Sequence, residues 1–419
     1  MPFHSNERGI ARMFAPRKCS GCSRSGTRKL HLSAFALAGA MCAASAGAEA
    51  PPADGKLSIA LTGQALIHTD FRTASPETVA AVKPLLKGDV VFTNFEGAVA
   101  IEGAKAKGFL TGEGFHSPAV AAPAASLDAL KDLGFNLLAL SNNHAWDLQG
   151  PGILSTMRAM KARGLTGAGI GKDLQQAAAP AYLKTPDGTV ALVSLASGSI
   201  AKGAGATAAQ PGINELRVAD RSLPDADDKA RILGQIRKAA RKADVVIAYH
   251  HNHVFQSSAP FFTMMNEQLP ERLYPSDWVK RFAHEEVDAG ANVVVMHGAP
   301  LLHGVEVYKG AVILYGLGNF IFQLEPTPPR FEETMVWRSV IATVDFKDRK
   351  LQGVRFKPVA IDKGRDEDDR FIARRGMPAP ANSDQARYTL ERLAQLSQPF
   401  GTTLRIDGDQ ATIDLNATK

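Results

Sequence analysis

Short apolar runs recur from residue 57 onward, and segments of helical length separate most of them. The runs are "LSIALTG" (57–63), "DVVFTN" (89–94), "NLLALS" (136–141), "TVALVSLA" (189–196), "DVVIAYH" (244–250) and "ANVVVMH" (291–297). A strand apolar along its whole length must be covered on both faces, and helical crossovers make neighbouring strands parallel. Helical spacing covers 76–86, 124–133, 150–163, 226–242 and 276–289. The first of these opens Ser75-Pro76-Glu77, a cap followed by proline at the first helical position. Further on the pattern changes. Residues 305–317 read as a hairpin turning at Lys309-Gly310, and 335–346 and 351–361 alternate as half-buried antiparallel strands do. Together these features predict an α/β fold with a mixed sheet or two packed sheets, over 57–362. A C-terminal extension, 363–419, opens on the charged break "KGRDEDDR" and holds a helix (384–397) and a hairpin near Asp407-Gly408.

The formal net charge of +6 is confined to the first 48 residues, which carry seven basic side chains and one acidic one. The remainder is neutral, so charge offers no footprint for nucleic acid. That basic start leads into an apolar core, "LSAFALAGAMCAA" (32–44), and small residues that suit cleavage after Ala46 or Ala48. The pattern predicts a signal peptide over 1–48, a linker over 49–56, and a mature chain in the periplasm or outside the cell. Cys19, Cys22 and Cys42 all fall in the leader. Any metal site in the rest must then use His, Asn, Asp or Glu. A flexible, low-complexity loop is expected over 198–212, and no run after the leader is long enough for a stable transmembrane segment.

Several apolar runs end in residues able to hold a metal. The first ends near Gln64, and the second gives Asn94 and Glu96. "SNNHAWD" gives Asn143, His144 and Asp147, and "HHNH" gives His250, His251 and His253. His297 ends another run, with His303 shortly after. Ligands of α/β folds bind beyond the carboxyl ends of strands. Each group alone has an ordinary explanation. Asn142 suits a turn and Asp147 a helix cap; Glu96 suits an exposed turn, "HHNH" a solvated loop, and His297 a core. All these explanations must hold together for a site to vanish. Neutral imidazoles, amide oxygens and carboxylates hold divalent Mn, Zn or Fe, as one or two ions. In such a site Asn143 offers its amide oxygen. His144 points the other way and donates a proton, and Asp147 orients that imidazole.

The stretches "DVVFTNFEGAV", "GFNLLALSNNHAWDLQGPGI", "LTGAGIG", "DVVIAYHHNH", "AGANVVVMHGAPLLHGVEVYKG" and "ILYGLGNFIF" occur in that order. They resemble the CapA family, the poly-gamma-glutamate capsule biosynthesis proteins, which is similar to the calcineurin-like metallophosphoesterases. The resemblance spans roughly residues 57–325. It implies two packed mixed sheets flanked by helices, with a two-metal site at the strand ends. It implies Glu96, Asn143, His250 and His297 as metal ligands, and His144 with Asp147 as the catalytic pair. Gln64, His253 and His303 are further candidate ligands, and Asn94, His251 and Asn319 candidate substrate contacts. Three positions depart from the family pattern. Gly63-Gln64 stands where the family has Gly-Asp, Pro300 where it has a ligating histidine, and His251-Asn252 where it has Trp-Gly. The added imidazoles favour a rebuilt site over a decayed one.

Two functions suit this pattern. The first is an exported metal-dependent hydrolase acting on a phosphoester or on an amide bond of an envelope polymer, poly-gamma-glutamate or peptidoglycan-like. The alternative is a non-catalytic envelope polymer-binding or export accessory protein with a degenerate metal site, which Gln64 and Pro300 favour. The partner in either case is an anionic or peptide-like polymer or a phosphoester.

Overall fold

The computed structural model describes residues 55–417 apart from 107, 111–115, 118, 256–269, 324–333 and 363–374. The expected leader and the charged break lie outside the described residues. In chain order, β1 (Lys56–Leu61), β2 (Val90–Asn94), β3 (Leu137–Ala139) and β4 (Thr166–Ala168) are successive parallel neighbours in one sheet. A second sheet takes β5 (Ala181–Thr185), β6 (Gly188–Ser197), β7 (Val245–Asn252), β8 (Val293–Gly298), β9 (Val305–Tyr308) and β10 (Ala311–Leu314), ordered β5-β6-β7-β8-β10-β9. The chain then returns to the first sheet through β11 (Arg338–Lys347), β12 (Lys350–Ile361), β13 (Pro378–Pro380), β14 (Leu404–Asp407) and β15 (Gln410–Ile413). That sheet runs β14-β15-β12-β11-β1-β2-β3-β4, with β13 beside β12. Both sheets are mixed, as expected. The apolar runs joined by crossovers pair in parallel, and the alternating later strands pair antiparallel.

Period-2 alternation sorts the side chains into layers. Ile59, Phe92 and Leu137 of the first sheet share a central core with Leu192, Ile247, Val295 and Leu314 of the second. Full burial of each such side chain contributes roughly 1.5–3 kcal/mol relative to exposure. Their chain neighbours Ala60, Val91 and Leu138 face the other way. They pack with Val82, Leu130 and Ile153 of α1 (Pro76–Val82), α2 (Ala125–Leu133) and α3 (Gln149–Arg163). On the second sheet Val246, Val294 and Ile313 pack with Ile236 and Phe282 of α4 (Ala226–Ala240) and α5 (Asp277–Asp288). The result is a two-sheet α/β sandwich with helices on both outer faces. Among the described residues no helix is long and apolar enough to cross a membrane.

The C-terminal segment joins this sandwich. β15 pairs with β12, and α6 (Ser383–Ser397) buries Leu390, Leu393 and Leu396 in the central core. A capping box of Asn382 and Gln385 starts α6. The β9–β10 hairpin turns at Lys309 and Gly310, both at positive φ, as a two-residue turn matched to strand twist requires. Strand β4 falls in "LTGAGIG", a stretch not expected as a strand. Here Gly167 permits close packing, because a Cβ would meet the Leu138 carbonyl at 2.9 Å. The loop over 198–212 is more ordered than its composition suggests: Ala206 N–H bonds Ile213 O at 2.9 Å, and Ala204 is buried.

Helix α5 carries Glu286 on its buried face, and neither carboxylate oxygen has a hydrogen-bond partner among the described residues. Burial, and secondarily Glu285, push its carboxyl well above the usual range. Above about pH 4.3 the unfolded chain releases this proton while the folded chain keeps it, so stability falls as pH rises. Glu286→Gln is expected to raise the melting temperature by a few degrees at pH 8 and by less at pH 5. Thermal melts of the two proteins check this, and parallel pH profiles would contradict it.

Candidate metal centre

Four elements bring polar side chains to one point between the sheets. Glu96 follows β2, and Asn143 and His144 follow β3 in a short 3-10 turn, Asn143–Trp146. His251 lies on β7 and His253 just beyond it. On β7, Ile247 and Tyr249 face the central core while Val246 and Ala248 face the helices. The same parity aims His251 and His253 inward and His250 outward. All of these site residues are at most 6% exposed.

The arrangement brings possible ligand atoms together. His251 Nε2 lies 2.8 Å from Asn143 Oδ1, 3.1 Å from His253 Nε2 and 3.6 Å from Glu96 Oε1. One ligand atom from each of Glu96, His251 and His253 falls within 4.8 Å of the others. Ligands about 2.1 Å from an ion sit about 3.0 Å apart at octahedral angles and about 3.4 Å at tetrahedral ones, so this spacing suits an ion that keeps a further position open. The Tyr249 hydroxyl oxygen, 3.1 Å from His251 Nδ1, can accept a hydrogen bond from Nδ1–H and leave the Nε2 lone pair for a cation. Glu96 Oε2 and His253 Nδ1 are buried without hydrogen-bond partners among the described residues. Burial raises the Glu96 carboxyl to about 7, with His144 opposing and Asp147 adding to the rise. Burial also lowers His253 to about 3 and, with the neighbouring imidazoles, His251 well below its usual value. These imidazoles are therefore neutral, the form that binds a metal.

Beside the cage stands a charge-assisted pair. His144 Nδ1 lies 2.8 Å from Asp147 Oδ2, and that oxygen also accepts the Val120 N–H at 2.6 Å. Burial disfavours the His144 imidazolium, but the charge and hydrogen bond of Asp147, with Glu96, outweigh it and raise the pKa. Asp147 thus serves the imidazole instead of capping α3. Asn142 supplies the turn: its Oδ1 accepts the His144 N–H, and its Nδ2 donates to Asn94 Oδ1 and Phe95 O.

Other expected site residues lie elsewhere or are already engaged. The expected ligand His250 faces α5, with Nε2 2.7 Å from Ser197 Oγ and its ring against Trp278 and Phe282. Its neighbour His251, expected as a substrate contact, occupies the cage because of strand parity. His303, the other candidate ligand, lies with its ring nitrogens 3.0 Å from Tyr315 O and 2.7 Å from Arg272 O. Gln64 accepts the Gly298 N–H and donates to Asn319 Oδ1, each at 3.1 Å, and Asn319 donates to Val336 O. Those two amides brace the end of β8 and are not offered to a metal or substrate. Asn94, also expected to touch substrate, is fully buried and holds Asn142. His297 is the register partner of His251, is lowered to about 3 by burial, and packs edge-on to Tyr249. It adjoins the cage without belonging to the four converging donors. Tyr249 and Asn142 were not singled out as site residues, and the apolar run around Tyr249 holds no signal of which parity faces inward.

The class is an αββα sandwich whose strand ends gather a buried set of metal-capable side chains. Within it, the chain belongs to the bacterial capsule synthesis protein family PGA_cap, which matches residues 58–324. The capsule biosynthesis protein CapA of Bacillus anthracis is 29% identical over 294 residues, covering 68% of this chain and 64% of that one. The PGA biosynthesis protein CapA of Bacillus subtilis (strain 168) is 26% identical over 293 residues, covering 70% and 64%. The uncharacterized protein y4sH of Sinorhizobium fredii (strain NBRC 101917 / NGR234) is 28% identical over 355 residues, covering 66% and 76%. The family match includes every residue of the cage.

Replacing Asn142 by alanine strands the His144 N–H and removes the donor to Asn94 and Phe95. Asn142→Ala is expected to cost at least about 2 kcal/mol in urea unfolding. A loss under about 0.5 kcal/mol would contradict its bracing role.

Proposed function

We propose that this chain is an exported, metal-dependent hydrolase of its capsule-synthesis family, acting on an amide or phosphoester bond of an envelope polymer. The observation that carries the reading is the meeting of four buried acceptors beside the His144–Asp147 pair. Glu96, Asn143, His251 and His253 are the residues that would hold the cation. A bound divalent cation acidifies a water and steadies charge at the scissile centre. Asp147 fixes His144 Nδ1 and stabilises its imidazolium, so Nε2 holds a proton for the leaving group. Burial of the whole cluster excludes bulk water and strengthens these interactions. The basic and apolar leader composition supports export. A second reading, a polymer-binding accessory protein, draws support from Gln64, whose amide is spent inside the fold.

Metal content of untagged protein tests the proposal. About one equivalent of Mn, Zn or Fe is expected. His251→Ala or His253→Ala should weaken binding on the order of 100-fold, the upper end of what outer-shell changes cost. His144→Ala should keep the metal and slow hydrolysis of a chromogenic phosphodiester or γ-glutamyl anilide by about 10²–10⁴-fold. Less than a small fraction of an equivalent, with no activity on adding Mn or Zn, would overturn the enzyme reading. Equal metal loss in His144→Ala would overturn the division of roles.

A further inference from the structure

Strand β7 ends at Asn252, and the cage takes His253 from the residue just beyond it. The ladders to β6 and to β8 both stop at Asn252. Whatever fixes His253 must therefore lie in the contacts around that strand end.

Two glycines at positive φ press on it, one from each flanking strand. Gly198 (φ +71) directly follows β6, and a Cβ there would lie 2.6 Å from the carbonyl carbon of His253 and 2.8 Å from its oxygen. Gly298 (φ +120) ends β8, and a Cβ there would lie 2.1 Å from the carbonyl oxygen of Asn252 and 2.7 Å from its carbon. These neighbours are backbone atoms, which cannot swing aside as the end of a long side chain can. Only glycine takes such φ values without strain. Hydrogen bonds fasten the same segment. The His253 N–H donates to Ser197 O at 2.8 Å. The Ser197 hydroxyl donates to Asn252 Oδ1 at 2.8 Å, and that oxygen also accepts the Val254 N–H at 3.0 Å. On the other side the Gly298 N–H donates to Gln64 Oε1 at 3.1 Å, so Gln64 anchors one jaw of the contact.

We infer that Gly198 and Gly298 are positioning residues, a clamp that holds the end of β7 so that His253 reaches the cage. A side chain at either position pushes the backbone of Asn252 and His253 away. Metal sites tolerate only about 0.2 Å of error in a ligand distance, so a small push at His253 weakens the hold on a cation. The clamp is a matter of packing; its bearing on a metal rests on the function proposed above.

Two measurements on the full chain test the clamp: zinc affinity by competition with a chromophoric chelator, and hydrogen exchange at the His253 amide in metal-free protein. The variants are Gly198→Ala, Gly298→Ala and a control, Gly290→Ala. Gly290 is strained as well, with φ +113 and a Cβ that would lie 2.6 Å from that of Ala240, but it precedes β8 at the end opposite Gly298. Each clamp variant should weaken zinc by about 10–100-fold, as changes behind the ligands do. Each should also speed exchange at His253 by at least about 10-fold. Gly290→Ala should lower the melting temperature yet leave affinity and exchange within about two-fold of wild type. In a His253→Ala background, Gly198→Ala should cost no further affinity. Wild-type affinity and exchange in Gly198→Ala overturn the clamp, as does an equal loss in Gly290→Ala. Additive losses in the double variant also overturn it, since the glycine then acts elsewhere. If Gly298→Ala, the tighter contact, fails to fold, Gly198→Ala carries the test. Wild-type protein that binds no zinc overturns the hydrolase reading alone, and exchange at His253 then decides the clamp.

Discussion

A buried cluster of carboxylate, amide and imidazole atoms between the two sheets is the constraint that organises this site. Glu96 Oε1, Asn143 Oδ1 and the Nε2 atoms of His251 and His253 converge within the sandwich. Depressed imidazole pKa values mean that the histidines carry no charge themselves. A proton on Glu96, whose pKa is raised to about 7, stabilises the cluster in part. A divalent cation stabilises it further and accounts for the hard oxygen and imidazole donors together. The surrounding contacts then have a purpose. Tyr249 orients the His251 ring, Asn142 shapes the turn that carries Asn143, and Asp147 sets the His144 tautomer.

The sandwich divides the donors between its layers. Glu96 and Asn143 come from the ends of β2 and β3 in the first sheet, His251 and His253 from the end of β7 in the second. Their separation is thus fixed by the central core, where Phe92 meets Tyr249 with ring centres 5.7 Å apart. A cation held by both sheets cross-links them, and its binding free energy becomes folding free energy. The Gln64–Asn319 brace also joins distant parts of the chain, but with amides. It keeps the end of β8 in place without a charge.

Much of this was legible in the chain. Apolar runs and helical spacings located most strands and helices, and the two-residue turn at Lys309-Gly310 marked its hairpin. Strand β4 escaped because its glycines serve close packing against Leu138 instead of turning the chain. Among the site residues, Glu96, Asn143, His144 and Asp147 stood out because several strand ends carry such residues at once, although each alone suits a turn or a cap. His250 and His251 could not be told apart by that criterion. "DVVIAYH" is apolar on both faces, so its composition hides which parity points inward, and only the partner sheet decides. The engagement of Gln64, Asn94 and Asn319 was equally hidden, since an amide at a strand end serves a ligand and a brace equally well.

The account's central claim is that a single cation sits between the two sheets on ligands chosen by strand parity. Crystals of the metal-loaded chain, with anomalous diffraction collected at the absorption edge of the bound metal, measure this directly. The account predicts one strong peak about 2.0–2.3 Å from Glu96, Asn143, His251 and His253, with His250 still against Ser197. A peak coordinated by His250, or no peak among these residues in protein shown to contain metal, would contradict it.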